Sequence, residues 1–452
     1  MNAETEAIWF TTGNPFVDTG QEIMAALARV DLVSELTKGD AESLLERLTS
    51  VYLQEGWRKN MHVIFPLSKL ANPAIKNPQD QYPALLSEWM GLVGSHGSLG
   101  MPCSISGRLA QVYMSKMYLP MSDYVGNNFQ SASQQGTPVS AAVALALQFF
   151  PLALIKVGKM MTLPHFSNAE AQSRWADRMV ESINFDETVG TGGVGDVGTS
   201  RPVNAFFRLI ERLVRDQIDF PKSSVTLYLF NNFNQVDYTS ATNIYYMPSR
   251  VFGFVQAAMS PSTRDSWQRI VWRGYPANRK IEDEEDGLRR FNNSVYWNLL
   301  NDRSISGFFI DRRKRCPVVR GNSGWRLYSK YLEEVRGMDQ SRIGNLRDLG
   351  DRIAPIIRDR KRRLIALEGA NSRGALTDVL YRIATKDSTG RLDAPLITFD
   401  QLVTDLFPHD TGYSDWREVK YLLLFRIYEQ LFDDLKDDPE YASTDNEEEE
   451  TT

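Results

Sequence analysis

The chain has 452 residues, enough for two or three domains, and its 42% hydrophobic and 24% charged residues are those of a packed globular protein. A formal charge of -6 excludes a uniformly basic nucleic-acid coat. Two cysteines, Cys103 and Cys316, exclude a disulfide scaffold and fit a reducing cytoplasm, and Glu4 and Glu6 stand where a secretory leader would be basic.

From the N-terminus, the apolar run Ile8-Trp9-Phe10 precedes TTGNPFVDTG, Thr11 to Gly20, and then QEIMAALARV. This order predicts strand, tight turn, helix. Asn14-Pro15 is a turn pair, because proline pushes the residue before it out of helix. Asp18 is the expected N-cap, with Gln21 three residues on where a capping box wants Glu or Gln. Residues 20 to 56 read as two helices, followed by a short strand at Met61–Leu67 (MHVIFPL) and a proline-rich connection. Val139–Ile155 is the most apolar run. A membrane span needs about 20 such residues, and this run is broken by Gln148 and Pro151. A buried core helix is expected instead, capped by Thr137 with Pro138 at its first position, ending near Phe150.

ETVGTGGVGDVGTS, Glu187–Ser200, places Gly190, Gly192 and Gly195 in a literal G-x-G-x-x-G. The next helix begins near Arg201, well past the third glycine, and no Lys-Ser or Lys-Thr follows, so neither a dinucleotide fold nor a P-loop is well matched. A glycine-rich surface loop is the main reading, and Gly192, Gly193 and Gly195 could approach a nucleic-acid backbone closely. A nucleotide-dependent enzyme using the Gly190–Gly198 loop is the rival. VTLYLFNNF and TNIYYMP then read as paired strands. Asn231, Asn232 and Asn234 lie between them; asparagine there can serve a turn or read a base edge.

Residues 311–363 hold sixteen basic side chains against seven acidic ones, a surplus of nine in an acidic chain. Arg312, Arg313, Lys314 and Arg315 form one run, Arg320 follows, and Arg358, Arg360, Lys361, Arg362 and Arg363 form a second. Either they are a solvated helix face, or they neutralise phosphates, for which the planar guanidinium is well shaped. Trp325, Tyr328 and Tyr331 are interleaved and could stack on bases. From Gly324 on, the pattern is helical. Ile343, Leu346, Leu349, Ile353, Ile356 and Ile357 share one face, and Pro355 is a potential kink. The last 20 residues hold ten acids and one lysine; Asp437 onward reads as a disordered tail.

No catalytic constellation is found. The four histidines fall in no metal spacing, no G-x-S-x-G elbow occurs, and an HD-type nuclease or helicase motif is absent. The TGNPFVD opening, the LYLFNNFN segment and the helical C-terminal third together resemble the large subunit of the type I-B CRISPR Cascade, the Cst-type branch of the Cas-eight family. That resemblance implies a non-enzymatic, cytoplasmic, prokaryotic protein at the 5′-handle end of a guide RNA. It would read the protospacer-adjacent motif, help open the target duplex and receive a helicase-nuclease. Its partners would be guide RNA, target double-stranded DNA and the displaced strand, the backbone and handle-binding subunits, and a small subunit.

On this reading Arg312–Arg315 contact a strand, Arg358–Arg363 the displaced strand, and the glycine loop and asparagines the flanking motif. Asn14 and Asp18 would order the handle end, if they are not simply structural. Members of the family often carry two CxxC pairs for zinc. Here Ser106 stands three residues after Cys103 and no second cysteine is near, so neither metal nor cofactor is expected. The family's small subunit is commonly made by internal translation. Met338 is a candidate start, because Glu333-Glu334 can be encoded GAGGAG, three codons upstream; the nucleotide sequence checks this directly. The expected architecture is α+β: a mixed body over 1–322, a helical bundle over 323–436 and the acidic tail over 437–452.

Overall fold

The computed structural model describes residues 7–95, 98–120, 136–189, 192–216, 219–231, 242–387, 395–408 and 415–436. They form two compact units, Met1–Leu209 with Asp219–Ser249, and Ile210–Ile218 with Arg250–Thr452. The fold is α+β, mostly helical, with one five-stranded sheet and a helical C-terminal region. The expected tail lies outside the described residues.

In the first unit, α1 (Pro15–Ala28) is the central helix. Its N-cap is Asn14, not Asp18: Asn14 Oδ1 accepts from Phe16 N (3.0 Å) and Val17 N (3.2 Å). Proline at the first helical position explains the shift, since its fixed φ suits that place and it has no N–H to satisfy. Asp18 instead folds back, accepting from Thr12 N (2.7 Å), Thr12 Oγ1 (2.7 Å) and Gly13 N (2.9 Å). Gly13 has φ +80°, a conformation glycine adopts without penalty. Ile8–Phe10 form no strand, although Trp9 is fully buried.

Helices α2 (Lys38–Leu53), α3 (Glu55–Ile64) and α4 (Pro78–Leu92) follow. Helix α3 covers most of the stretch expected as a strand. Trp57, Met61 and Ile64 are buried at helical spacing, and that periodicity overrides the β-propensity of Val63 and Ile64. The apolar run gives α5 (Ala141–Phe149), capped by Ser140 rather than Thr137. Thr137–Val139 is strand β2, paired antiparallel with β1 (Val112–Met114). Gln148, the polar interruption, is satisfied inside: its carbonyl accepts from Tyr52 OH at 2.6 Å and its Oε1 from Tyr82 OH at 3.2 Å. Among the described residues no helix is long and apolar enough to cross a membrane.

The large sheet contains β3 (Ile155–Val157), β4 (Met160–Phe166), β5 (Gly195–Asp196), β6 (Val225–Phe230) and β7 (Thr242–Met247), in the order β5-β3-β4-β6-β7. Only β3 and β5 are parallel; β6 and β7 are antiparallel neighbours, with Leu227 opposite Tyr245. Helix α6 (Ala169–Val189) lies between β4 and β5 in sequence, and α7 (Pro202–Asp216) follows β5. Phe16 of α1 meets the rings of Phe150, Tyr228 and Phe230 at 5.2–5.8 Å, which ties helix to sheet.

The second unit continues with α8 (Ser249–Ala258), α9 (Arg264–Trp272), α10 (Glu284–Arg290) and α11 (Ser294–Leu300). A short hairpin, β8 (Ile310–Asp311) and β9 (Cys316–Pro317), leads to α12 (Asn322–Glu334), α13 (Gln340–Asp359), α14 (Lys361–Gly369) and α15 (Arg373–Arg382). Then come α16 (Phe399–Gln401), α17 (Trp416–Gln430) and α18 (Phe432–Lys436). The apolar face of α13 is buried as expected and packs on α17; the helix runs past the exposed Pro355 to Asp359. The division at 322/323 is not where the units part. Phe309, before it, stacks on Tyr328, after it, with ring centroids 4.5 Å apart, and β8 and β9 both pack on α17.

Gly20 lets α1 and α5 touch: a Cβ there would lie 2.0 Å from the backbone oxygen of Ala146. Alanine in a helix normally gains about 1 kcal/mol over glycine, but overpacking costs about 1–3 kcal/mol. Gly20→Ala is therefore expected to destabilise in urea titration. Gly91→Ala in α4, where a Cβ meets nothing within 4 Å, is expected to be neutral or stabilising.

Candidate nucleic-acid interface

The basic run sits on the turn of the β8–β9 hairpin. Asp311 shapes it, its Oδ1 accepting from Arg313 N and Lys314 N, both at 3.1 Å. The chain then reverses at Arg315, whose φ is +45°. This reversal splits the run. Arg312, Arg313 and Lys314 are exposed, whereas Arg315 turns inward and is buried. Its guanidinium grips Glu368 of α14 with both arms, Nε to Oε1 at 2.9 Å and Nη2 to Oε2 at 3.2 Å. Arg315 is thus a structural residue, not a strand contact, because its charge faces a buried carboxylate.

Glu368 collects further donors. Tyr428 OH donates to Oε1 at 2.6 Å, Lys420 Nζ to the Glu368 carbonyl at 2.6 Å, and Arg312 Nη2 to the same carbonyl at 3.3 Å. Burial, with Arg312 nearby, pushes the Lys420 ammonium down to about 8. Burial and the Glu368 carboxylate raise the Tyr428 phenol far above its ordinary range. Hairpin, α14 and α17 are therefore held through one carboxylate.

Beside the hairpin lies a cleft of about 620 Å³. Its walls come from the end of α9 and the loop beyond it, with Trp272, Arg273, Tyr275, Pro276, Arg279 and Ile281. The hairpin side supplies Gly307, Ile310, Asp311, Arg312 and Arg313. Four arginines face one aspartate, and that aspartate is paired: Arg273 Nη1 lies 3.3 Å from Asp311 Oδ2, while Arg273 Nη2 donates to the Ile310 carbonyl at 3.2 Å. Trp272 is 45% exposed. Three acids of the neighbouring run are engaged with its own helix: Asp283 caps α10, Asp286 pairs with Arg290 at 2.8 Å, and Glu285 lies 4.0 Å from Arg289. Sequence reading missed Arg273, Arg279 and Trp272. The signal was there in WRGYPANRK, residues 272–280, where aromatic and basic residues alternate next to an acidic stretch that masks them.

The other predicted residues do not gather here. Arg320 lies over the Phe432 ring at 4.2 Å. Arg358 pairs with Asp434 at 2.8 Å, both partly exposed. Arg360 and Arg362 are exposed, Lys361 and Arg363 half-buried. Tyr328 and Tyr331 are fully buried, stacked with Phe309, and cannot meet bases; helical spacing pointed them inward. Arg336 and Arg342 are held in ion pairs, to Asp302 at 3.0 Å and to Asp415 at 2.6 Å, so part of the basic surplus is internal.

In the first unit the described start of the glycine loop, Gly192 and Gly193, is packed against α3. A Cβ on Gly56 of α3 would lie 2.0 Å from the Gly192 carbonyl, and one on Gly192 equally close to Gln54 Oε1. Gly193 adjoins Gly56, and Gly195 belongs to strand β5. Gly198 N donates to Asp196 Oδ1 at 2.7 Å, so an acidic side chain holds an amide that a phosphate would need. Gly190 lies outside the described residues. Asn231 directly follows β6, and Asn232 and Asn234 lie outside the described residues. Asn14 and Asp18 use their carboxamide and carboxylate oxygens on their own turn, which makes their role structural.

No family model matches the chain, and no curated protein matches it significantly.

Removing the Glu368 charge tests the anchoring. Glu368→Gln leaves Arg315 buried without its counter-ion, and breaking such a pair costs about 3–5 kcal/mol. The expected result is a stability loss of that order in urea titration. An unchanged midpoint would show that the network does not hold the hairpin.

Proposed function

We propose that this chain is a non-catalytic nucleic-acid-binding subunit of an RNA-guided DNA-surveillance complex, of the type I-B Cascade kind. In that role it would sit by the guide-RNA handle, read the motif flanking the target, aid duplex opening and receive a helicase-nuclease. The partners are the guide RNA, the target duplex with its displaced strand, the backbone and handle-binding subunits and a small subunit, the last from Met338 of this same message. The protein works in a prokaryotic cytoplasm. Guide pairing would read the sequence, and this chain would grip backbone and a short motif.

One observation carries the nucleic-acid part of this reading. In an acidic chain, four arginines line one cleft against a single, already paired aspartate. Such an excess has a physical use where phosphates must be neutralised, with release of their counter-ions. The complex-level part is supported by the TGNPFVD opening, the LYLFNNFN segment and the helical C-terminal third. The rival nucleotide-dependent enzyme is not favoured, because the described part of its loop is packed against α3 and strand β3.

Charge reversal tests the cleft. In the double variant Arg279→Glu with Arg313→Glu, the full chain should bind DNA more weakly, and its log affinity should fall less steeply with log salt, by roughly two units of slope. Both residues are exposed, and a urea titration of the double variant checks that its folding is unaffected. Unchanged affinity and slope would place the interface elsewhere.

A further inference from the structure

We infer that the cleft beside the β8–β9 hairpin takes an unpaired nucleotide, with its base laid on Trp272 and its phosphates on the surrounding arginines. This rests on the nucleic-acid reading above and deepens it, because it assigns this cleft to an unpaired strand and gives the base a stacking partner.

The argument starts from the cleft's two halves. One is apolar and aromatic: Trp272, Tyr275, Pro276, Ile281 and Ile310. The indole of Trp272 stands at 74° to the Tyr275 ring with centroids 6.1 Å apart, and Trp272 is 45% exposed although large and apolar. The other half is cationic, from Arg279, Arg312 and Arg313. Base faces and phosphates are the two chemistries that match, and both occur on every nucleotide of a strand.

A duplex fits poorly. Its bases are stacked on both faces inside the helix, so it offers a concave site only phosphate and sugar, and leaves the indole facing water. An unpaired strand can turn one base out of its stack. The cleft, about 620 Å³, lies within the roughly 300–1,000 Å³ range of small-ligand pockets, which suits one nucleotide rather than a helix about 20 Å wide.

The walls are preset. Arg273 bridges the end of α9 to Asp311 and to the Ile310 carbonyl, and Arg312 is tied to the Glu368 carbonyl. Trp272 and the hairpin cations therefore keep their spacing before a strand arrives, which lowers the ordering cost of binding. Stacking on an aromatic tolerates any base, so the site selects for unpaired strand and not for sequence.

The test compares three fluorescent probes of about 15 nucleotides or base pairs on the full chain: oligo-dT, oligo-rU and a mixed-sequence DNA duplex. Single strands are expected to bind roughly ten-fold tighter than duplex. Trp272→Ala should weaken single-strand binding roughly ten-fold, with the salt slope unchanged and duplex binding unaffected, while Trp272→Phe should retain most of it. The dT and rU arms separate a DNA strand from an RNA strand as the natural source. If duplex binds as tightly as single strands and Trp272→Ala changes neither, the single-strand inference fails while the phosphate-binding reading stands. If no probe binds, both fail.

Discussion

The second unit is organised around a carboxylate taken out of water. Glu368 is buried on α14, and an ionised carboxylate there is tolerable only if matched by charge and hydrogen bonds. Arg315 supplies the charge and Tyr428 a further hydrogen bond, while Lys420 and Arg312 meet the backbone carbonyl of the same residue. These donors come from the hairpin and from α17. Satisfying one acid therefore fixes the hairpin on the helices, and with it the direction in which Arg312 and Arg313 face. Four adjacent basic residues end up with different jobs: one is an inward strut, one is tethered at the edge, and two project.

The first unit uses a similar economy of partners in its opening turn. Asn14 satisfies the amides at the start of α1, and Asp18 satisfies those of Thr12 and Gly13. Gly20 then brings α1 against α5, and Phe16 brings it to the sheet. The residues that make the opening distinctive as a sequence are accounted for by this packing.

What the sequence disclosed follows from how local each feature is. The helices after Gly324, the core helix that ends before Pro151 and the pairing of β6 with β7 are written in the apolar pattern of their own residues, and they are read without knowledge of neighbours. The strand expected at Met61–Leu67 failed because β-branched residues weigh less than an i, i+4, i+7 pattern of burial at Trp57, Met61 and Ile64. The cap moved from Asp18 to Asn14 because proline sets the first helical position. Site residues were harder. Whether an arginine in a basic run faces water or a buried acid depends on Glu368, 53 positions away from Arg315, and no local pattern carries that. Arg273 and Arg279 were obscured by the opposite effect, since the acids that follow cancel them in any count although Asp283, Glu285 and Asp286 are engaged with α10.

Amide hydrogen exchange of the full chain, with and without a short oligonucleotide, tests the central claim most directly. The account predicts slowed exchange confined mainly to residues 272–281 and 307–314 when the strand is present. Protection of the glycine loop or of α1 alone, with those two segments unchanged, would contradict it.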